Sequence, residues 1–571
     1  MNTKVIVITN LNRGGYRMEA LYKKFCREEF DENGRISKLE LFCEDNFNFG
    51  YDVVDAIADE EPDKVALVWC GVHGEEKIIT FGEMKEMSNR AANVFRNNGI
   101  KKGDRVMLIL KRHYEFWYAL VGLHKLGAVA IPATHMLTTK DIVYRIQNVD
   151  VRGIVCTPDE NMPEQVLEAQ RCCPNLNSVF IAKDSKVGMI QFNEALEQAS
   201  PELERVDTKK SDYMLLYFTS GTSGDPKAVT HDFTYPIGHI CTAKYWHNVV
   251  NDGVHLTVAD TGWAKAAWGK IYGQWLCGSA IMVYDYDNFY ANEMLKIIEK
   301  YKVTTFCAPP TLYKYLIRGK FEKHDLSSLK HVTTAGEALN PEILNIFREE
   351  TGLTIMEGFG QTESTLILAN LVGDVEKPGS MGRPSPMYNV KLLNDDGDYI
   401  TKPNEEGEIV IIPDKGTKQI GLFAGYYNND AQYDYVWRGN VYHTGDRATF
   451  DEDGYYWYVG RVDDIIKSSG YRIGPFEVES VLMEHPAVLD VAVTAVPSKK
   501  RGSLVKATII LHDEYEPTDE LKVELQDFCK AKAASYKFPR VIEFVDSLPK
   551  TPSGKIKRNE IRKMDAKRVW E

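Results

Sequence analysis

The 571-residue chain has no apolar run long enough to cross a bilayer. Its longest apolar region, Phe116 to Pro132, is broken by His124 and Lys125, whereas a spanning helix needs about 20 apolar residues in succession. It also lacks any Cys-x-x-Cys pair: the 10 cysteines are scattered, and only Cys172 and Cys173 are neighbours. That spacing argues against a zinc site or a disulfide framework and leaves reduced thiols and a cytoplasmic protein as the expectation. Positive charge is in deficit, with 69 Lys and Arg against 82 Asp and Glu and a net charge of −13. Nucleic acid and an anionic membrane surface are therefore not expected as main partners, and a bound polyanion would need lysines and arginines placed locally. The apolar stretch Val5-Ile6-Val7-Ile8 is too short for a secretory signal, and Met18, which opens a charged amphipathic segment, reads as an alternative start. Internal repeats and low-complexity tracts are absent.

What is present reads as globular: 44% hydrophobic and 26% charged residues, in a chain too long for one core. Arg105–Leu110 reads as a buried strand, Glu115–Leu126 as a helix with its apolar face inward, and Gly127–Pro132 as a second strand. The rhythm repeats at Ile154–Cys156, Ser178–Ile181 and Ala280–Val283, which predicts a parallel α/β core with right-handed crossovers. Near residue 380 glycine, proline and aspartate become dense, and Asn389–Leu393 and Gly407–Ile412 alternate as strands, predicting a β-rich subdomain over about 380–460. After Asp464 come a helix over Phe476–Glu484, strands over Leu489–Val496 and Val505–Leu511, and a helix over Pro517–Ala533. The expected organisation is an extension over 1–49, a large α/β domain over 50–462 and a small mobile α+β domain over 463–571.

The most informative segment is Leu216-Tyr217-Phe218-Thr219-Ser220-Gly221-Thr222-Ser223-Gly224-Asp225-Pro226-Lys227. An apolar run leads into a loop whose glycines let backbone N–H groups turn towards an anion. Hydroxyls at Thr219, Ser220, Thr222 and Ser223 add donors, and Lys227 adds positive charge. It is not a Walker loop, since Asp225 and Pro226 separate Gly224 from Lys227. Further motifs follow in order: Gly336-Glu337-Ala338-Leu339, Glu357-Gly358-Phe359-Gly360-Gln361-Thr362-Glu363-Ser364, Tyr442-His443-Thr444-Gly445-Asp446, the run from Gly460 to Arg472, and Pro549-Lys550-Thr551-Pro552-Ser553-Gly554-Lys555.

Each motif alone is weak, but their order and separation over about residues 50–565 resemble the acyl-activating, AMP-forming synthetase superfamily. Ser468–Pro475 and Tyr536–Arg540 look most like medium-chain acyl-CoA synthetases, with similarity to acetyl-CoA synthetases at many of the same positions. The resemblance implies a ligase that joins a small-molecule carboxylic acid, short- to medium-chain or branched, to coenzyme A at the expense of ATP with Mg²⁺. It implies no stable membrane insertion and is compatible with a homo-oligomer.

By the same resemblance, Thr219 to Lys227 would hold the β- and γ-phosphates, Gly336, Glu337 and Ala338 would line the adenine, and Phe359 would stack on it in place of the tyrosine common in relatives. Gly360 and Gln361 belong to that nucleotide segment. Thr362 would bond the α-phosphate or the substrate carboxylate, Glu363 would bind Mg²⁺, and Asp446 and Arg461 would hold the ribose. Arg472 would reach the α-phosphate or CoA, two readings that stay open. Lys555 would bridge the reacting carboxylate and the α-phosphate. Asp463 would be the hinge, a role compatible with a helix N-cap ahead of Ile465-Ile466. Ser469, Gly470 and Tyr471 would flank the CoA tunnel, and Arg501 and Lys537 match positions that bind its phosphates.

The acyl site maps onto Asp260–Lys270. Lys265 would need a partner if it faces inward, or else snorkels outward. Trp263 lines the segment, and Trp268 would either shorten the pocket or be plain core. Transfer to a carrier protein, a luciferase-like oxygenase and a non-catalytic nucleotide-binding regulator are the other readings. Intact Lys227, Glu363, Asp446, Arg461 and Lys555 speak against the last.

Overall fold

The computed structural model describes residues 20–219, 226–337, 339–414, 419–468, 471–498, 502–532, 537–551, 555–566, 568 and 570. Two large sheets form its frame. The first runs, edge to edge, through Gly425–Tyr426, Lys227–Asp232, Tyr213–Thr219, Val129–Pro132, Arg105–Ile109, Val151–Cys156, Ser178–Ile181 and Ile190–Gln191. The second runs through Arg383–Pro384, Leu366–Ala369, Ile355–Gly360, His331–Ala335, Thr305–Cys307, Val254–Thr257, Ala280–Tyr284, Val65–Cys70 and Glu76–Thr80. Pairing is parallel in both interiors and antiparallel at every edge except Ile190–Gln191, which pairs parallel with Ser178–Ile181, the interior arrangement expected when helical crossovers cover both faces.

The helix Glu115–Leu126 begins and ends as its sequence predicts, but every residue along it is buried. It is buried all round, its polar Glu115, His124 and Lys125 included, because it sits inside the main core, which draws on both sheets. Residues 20–49, expected as an extension, also enter that core through Leu21, Tyr22, Ile36, Leu39, Phe47 and Phe49.

A four-stranded antiparallel sheet follows, ordered Asn389–Leu393, Gly407–Ile412, Tyr442–Phe450 and Tyr456–Arg461. Val390, Leu392, Ile409 and Ile411 point into one apolar cluster, the period-two pattern of a strand with one face buried. Beyond Arg461 the chain turns through Asp464 N–H to Arg461 O (3.1 Å) and enters the short strand Ile466–Ser468. No helix starts at Asp463, so the N-cap reading is corrected: two adjacent isoleucines carry no periodicity that separates helix from strand. The remaining chain packs helices Pro475–Met483 and Asp519–Lys532 with the strands Val488–Ser498, Gly502–Leu511 and Val541–Phe544 around its own core. Among the described residues, no helix is long and apolar enough to cross a membrane.

Candidate active site

The phosphate-loop residues Ser220, Gly221, Thr222, Ser223 and Gly224 lie outside the described residues, as do Ala338, Ser469, Gly470 and Arg501. Tyr471 and Arg472 are described as backbone, in the strand Tyr471–Ile473. The flanks of the loop are clear. Tyr213–Thr219 and Lys227–Asp232 are antiparallel, and their register sets Thr219 directly opposite Lys227. Lys227 therefore stands where the loop returns to the sheet. Gly425–Tyr426 adds to the other side of Lys227–Asp232, which brings the Tyr426 ring to 5.8 Å from Lys227 Nζ.

Tyr426 Oη donates to Glu363 Oε1 (2.9 Å), so the expected metal-binding carboxylate faces the lysine end of the loop. Burial raises the Glu363 pKa, opposed by the Tyr426 hydrogen bond and the charges of Arg461 and Lys227. Thr362 precedes it, its carbonyl accepting from His231 Nε2 (2.8 Å). Gln361 orders the segment further: its amide donates to Asp446 Oδ2 (2.5 Å) and to the Thr444 carbonyl (2.8 Å), while its oxygen accepts from Tyr442 Oη (2.7 Å).

Asp446 is buried and also accepts from Arg461 Nη1 (3.0 Å) and Tyr458 Oη (3.1 Å). Burial raises its pKa and the guanidinium opposes the rise. The turn before Asp446 is pinned by Glu408, which accepts from Gly445 N–H (3.0 Å) and His443 Nδ1 (2.9 Å). Gly336 ends the strand His331–Ala335 at φ +103°, a turn that favours glycine. Glu337 accepts from Thr311 Oγ1 (2.8 Å), and Phe359 pairs across the strand with Leu368.

Lys265 faces inward. Its Nζ donates to the Ala335 carbonyl (2.8 Å) beside the Gly336 turn. Burial lowers its pKa; Cys307 and Glu337 oppose the shift, and the charge of Lys555 adds to it. Lys555, distant in sequence and exposed, thus falls within electrostatic reach of the acyl segment. Trp263 is half-buried ahead of the helix Ala264–Gly269, and Trp268 is buried in the main core. A Cβ on Gly360 would meet the Trp268 ring at 2.4 Å, so this glycine is what lets the indole lie on the Phe359-Gly360-Gln361 segment. Lys537 pairs with Glu477, and Asp463 accepts from Arg461 Nε at 3.4 Å.

Several residues of the site carried no motif signal. Glu408, Tyr426 and Tyr458 act through tertiary contacts that local spacing does not encode. Glu357 opens the Glu357–Ser364 motif, whose pattern gives it no role of its own. It is buried, accepts from Leu339 N–H (3.3 Å), and burial pushes its pKa up to about 8. The folded carboxyl holds its proton to about pH 8, whereas its ordinary value is 4.5. The folded state thus binds more protons in that window, so stability is full below 4.5 and falls as pH rises through 8. Glu357→Gln keeps the acceptor and is expected to be neutral at pH 5 and stabilising at pH 8.5. Thermal melts that lose stability in parallel for both proteins between those values contradict this.

Known proteins resemble the chain over most of its length. The AMP-binding enzyme family matches residues 54–427, and the AMP-binding enzyme C-terminal domain matches residues 477–555. The acyl-coenzyme A synthetase ACSM3, mitochondrial, of Rattus norvegicus is 40% identical over 531 residues, 91% of this chain and 90% of the relative. The acyl-coenzyme A synthetase ACSM4, mitochondrial, of Homo sapiens is 40% identical over 528 residues, 90% of each. Among solved structures, the anthranilate CoA ligase AuaEII in complex with anthranoyl-AMP matches with a TM-score of 0.84 at 28% identity, covering 92% of this chain and 98% of that one. The acyl-CoA synthetase of Brucella canis matches at 32% identity with a TM-score of 0.69, covering 91% and 94%. The expectation of a cytoplasmic protein is corrected by these relatives, which are mitochondrial proteins. Reduced thiols report a reducing compartment, not which one.

Proposed function

The chain belongs to the AMP-binding enzymes of the acyl-activating family, and on that premise we propose how its residues divide the reaction. It is an AMP-forming acid–thiol ligase: carboxylate, ATP and CoA give acyl-CoA, AMP and pyrophosphate through an acyl-adenylate. The observation that carries the division of labour is convergence. The Thr219–Lys227 loop end, Glu363 and the Asp446–Arg461 pair meet at one edge, while the charge of Lys555, from the C-terminal part, acts on Lys265 in the segment expected to line the acyl site.

In this reading Lys227 and the loop hold the departing phosphates, and charge-assisted donors act strongly where water is excluded. Asp446 takes the ribose hydroxyls, and Phe359 and the Gly336 turn hold the adenine. Glu363 is an oxygen donor of the kind Mg²⁺ takes, and a cation that keeps its waters needs only one or two carboxylates. Bound there, the metal would supply neutralisation of phosphate charge. Thr362 and Lys555 attend the reacting carboxylate. Lys265, bonded to the Ala335 carbonyl, is a positioning residue that ties the helix carrying Trp268 to the adenine turn.

For thioester formation the chain would rotate about Asp463, exchanging Lys555 for the Ser469–Tyr471 segment. Arg472, Arg501 and Lys537 would then meet CoA, Lys537 giving up Glu477 for a phosphate. The turn at 461–465 is a place where a few backbone angles absorb such a motion.

Trp268 restricts the acyl site to short, compact or branched acids. Trp268→Leu is expected to raise the relative kcat/KM for a straight medium-chain acid over a short one by about tenfold or more, since each methylene accommodated is worth about 1–3 kcal/mol. Adenylation kinetics with a chain-length series test this, with a thermal melt to confirm folding. An unchanged preference contradicts it.

A further inference from the structure

Behind Thr362 the structure encloses an aromatic box with polar atoms left over. Tyr235 and His239 come from the helix Tyr235–Ile240 and are 1% and 0% exposed. Their rings meet edge to face at 4.6 Å, with Trp268 at 6.1 Å and Tyr272 at 6.1 Å from His239. The box adjoins the reacting end of the site on two sides. His231 stacks on Tyr235 at 3.8 Å and donates to the Thr362 carbonyl (2.8 Å). Trp268 lies against Gly360.

His239 Nδ1 shares a hydrogen bond with Thr242 Oγ1 (3.3 Å), but its Nε2 is buried with no partner, and so is the hydroxyl of Tyr235. The Trp268 indole can reach that hydroxyl only as a donor, which leaves the Tyr235 O–H without an acceptor. A buried polar atom left unpaired costs about 1–3 kcal/mol, and phenylalanine in place of Tyr235 would fill the same space without that cost. Two such atoms on rings in contact, next to the segment expected to handle the carboxylate, point to a polar ligand group. A charged group is excluded, because burial and the neighbouring His231 keep His239 neutral and an unpaired ion here would be costly.

We propose that Tyr235 and His239 select carboxylic acids whose tail ends in an uncharged hydrogen-bonding group, such as a hydroxyl, carbonyl or amide, carried on a compact frame. The inference rests on the acid-ligase reading and names the substrate class of that same site. It also adds to the size limit set by Trp268, because discrimination here is chemical. A site that hydrogen-bonds a substrate hydroxyl rejects the analogue lacking it far more strongly than a pocket distinguishes one methylene, by up to about 10⁴–10⁵.

The test is ATP–pyrophosphate exchange with matched pairs of acids, each hydroxyl-bearing acid set against the analogue with methyl in its place, for both alkyl and ring frames. The wild type is expected to favour the hydroxyl member by about 10²-fold or more. Tyr235→Phe and His239→Phe should each cut that ratio at least tenfold. Tyr235→Phe should melt no lower than the wild type, since it removes only an unpaired hydroxyl, so that a lost ratio is not a lost fold. Equal exchange with both members, or a ratio untouched by Tyr235→Phe, overturns the inference while leaving the ligase reading intact. Absence of exchange with every acid, in protein that ATP still protects from heat, overturns the ligase reading and the inference with it.

Discussion

Lys555→Ala is expected to lose acyl-adenylate formation by about 10²–10³-fold, the size of effect seen when one preorganised donor to developing charge is removed. Thioester formation from a supplied acyl-adenylate should stay within a few-fold of wild type. The asymmetry follows from where Lys555 is. It is exposed on the C-terminal part, its neighbourhood held by the Thr551 hydroxyl, which accepts from Lys555 N–H (3.1 Å), and by Thr551 N–H donating back to the Lys555 carbonyl (2.7 Å). The charge of the ammonium acts on Lys265. Lys265 and Lys555 repel each other, and an anion held between them, expected to be the substrate carboxylate with the α-phosphate, would relieve both. Once the adenylate had formed and the C-terminal part had turned, Lys555 would have no further role. Equal loss of both half-reactions in Lys555→Ala contradicts this division.

Asp446→Ala should carry the next largest effect, on two readouts together. The carboxylate gathers Gln361, Tyr458 and Arg461, so its loss takes the nearer carboxylate from a guanidinium that keeps Asp463 and the Thr444 carbonyl, and frees one hydrogen of the Gln361 amide. Breaking a fully buried pair costs about 3–5 kcal/mol; with Arg461 a third exposed, about 2 kcal/mol of stability is expected instead. The KM for ATP should rise by about 10–10²-fold, the equivalent of losing a hydrogen bond to a charged acceptor, about 1.5–3 kcal/mol. Asp446→Asn keeps the shape and should recover most of the stability but little of the ATP binding. ATP saturation curves and thermal melts read the two effects. A KM for ATP unchanged in Asp446→Ala contradicts the ribose assignment.

Much of the frame was legible because buried parallel strands are nearly continuous apolar runs. Ser178–Ile181 stands as read for that reason, and Asn389–Leu393 and Gly407–Ile412, which are antiparallel, stand as read from their alternation. Strand ends moved where flanking residues extend the pairing: Val488–Ser498 is longer than Leu489–Val496 because the long hairpin with Gly502–Leu511 carries its ladder out to Ser498 and Gly502. The site was legible where motif residues act locally, as at Thr219 and Lys227, which a hairpin places opposite each other. It was illegible where a partner has no side-chain signature. Nothing in the sequence shows that Lys265 points inward, because its partner is the Ala335 backbone carbonyl. Nor does spacing show that Tyr426 and Glu363, or Glu408 and Gly445, meet, since sheet pairing across long sequence separations brings them together.

The central claim is that one split site first makes an acyl-adenylate and then releases AMP to CoA. ATP–pyrophosphate exchange, followed alongside AMP release with and without CoA, tests it most directly. Exchange is expected to require a carboxylic acid and to proceed without CoA, with rapid AMP release only when CoA is added. Exchange that requires CoA, or AMP released at the same rate without it, contradicts a split site of this kind.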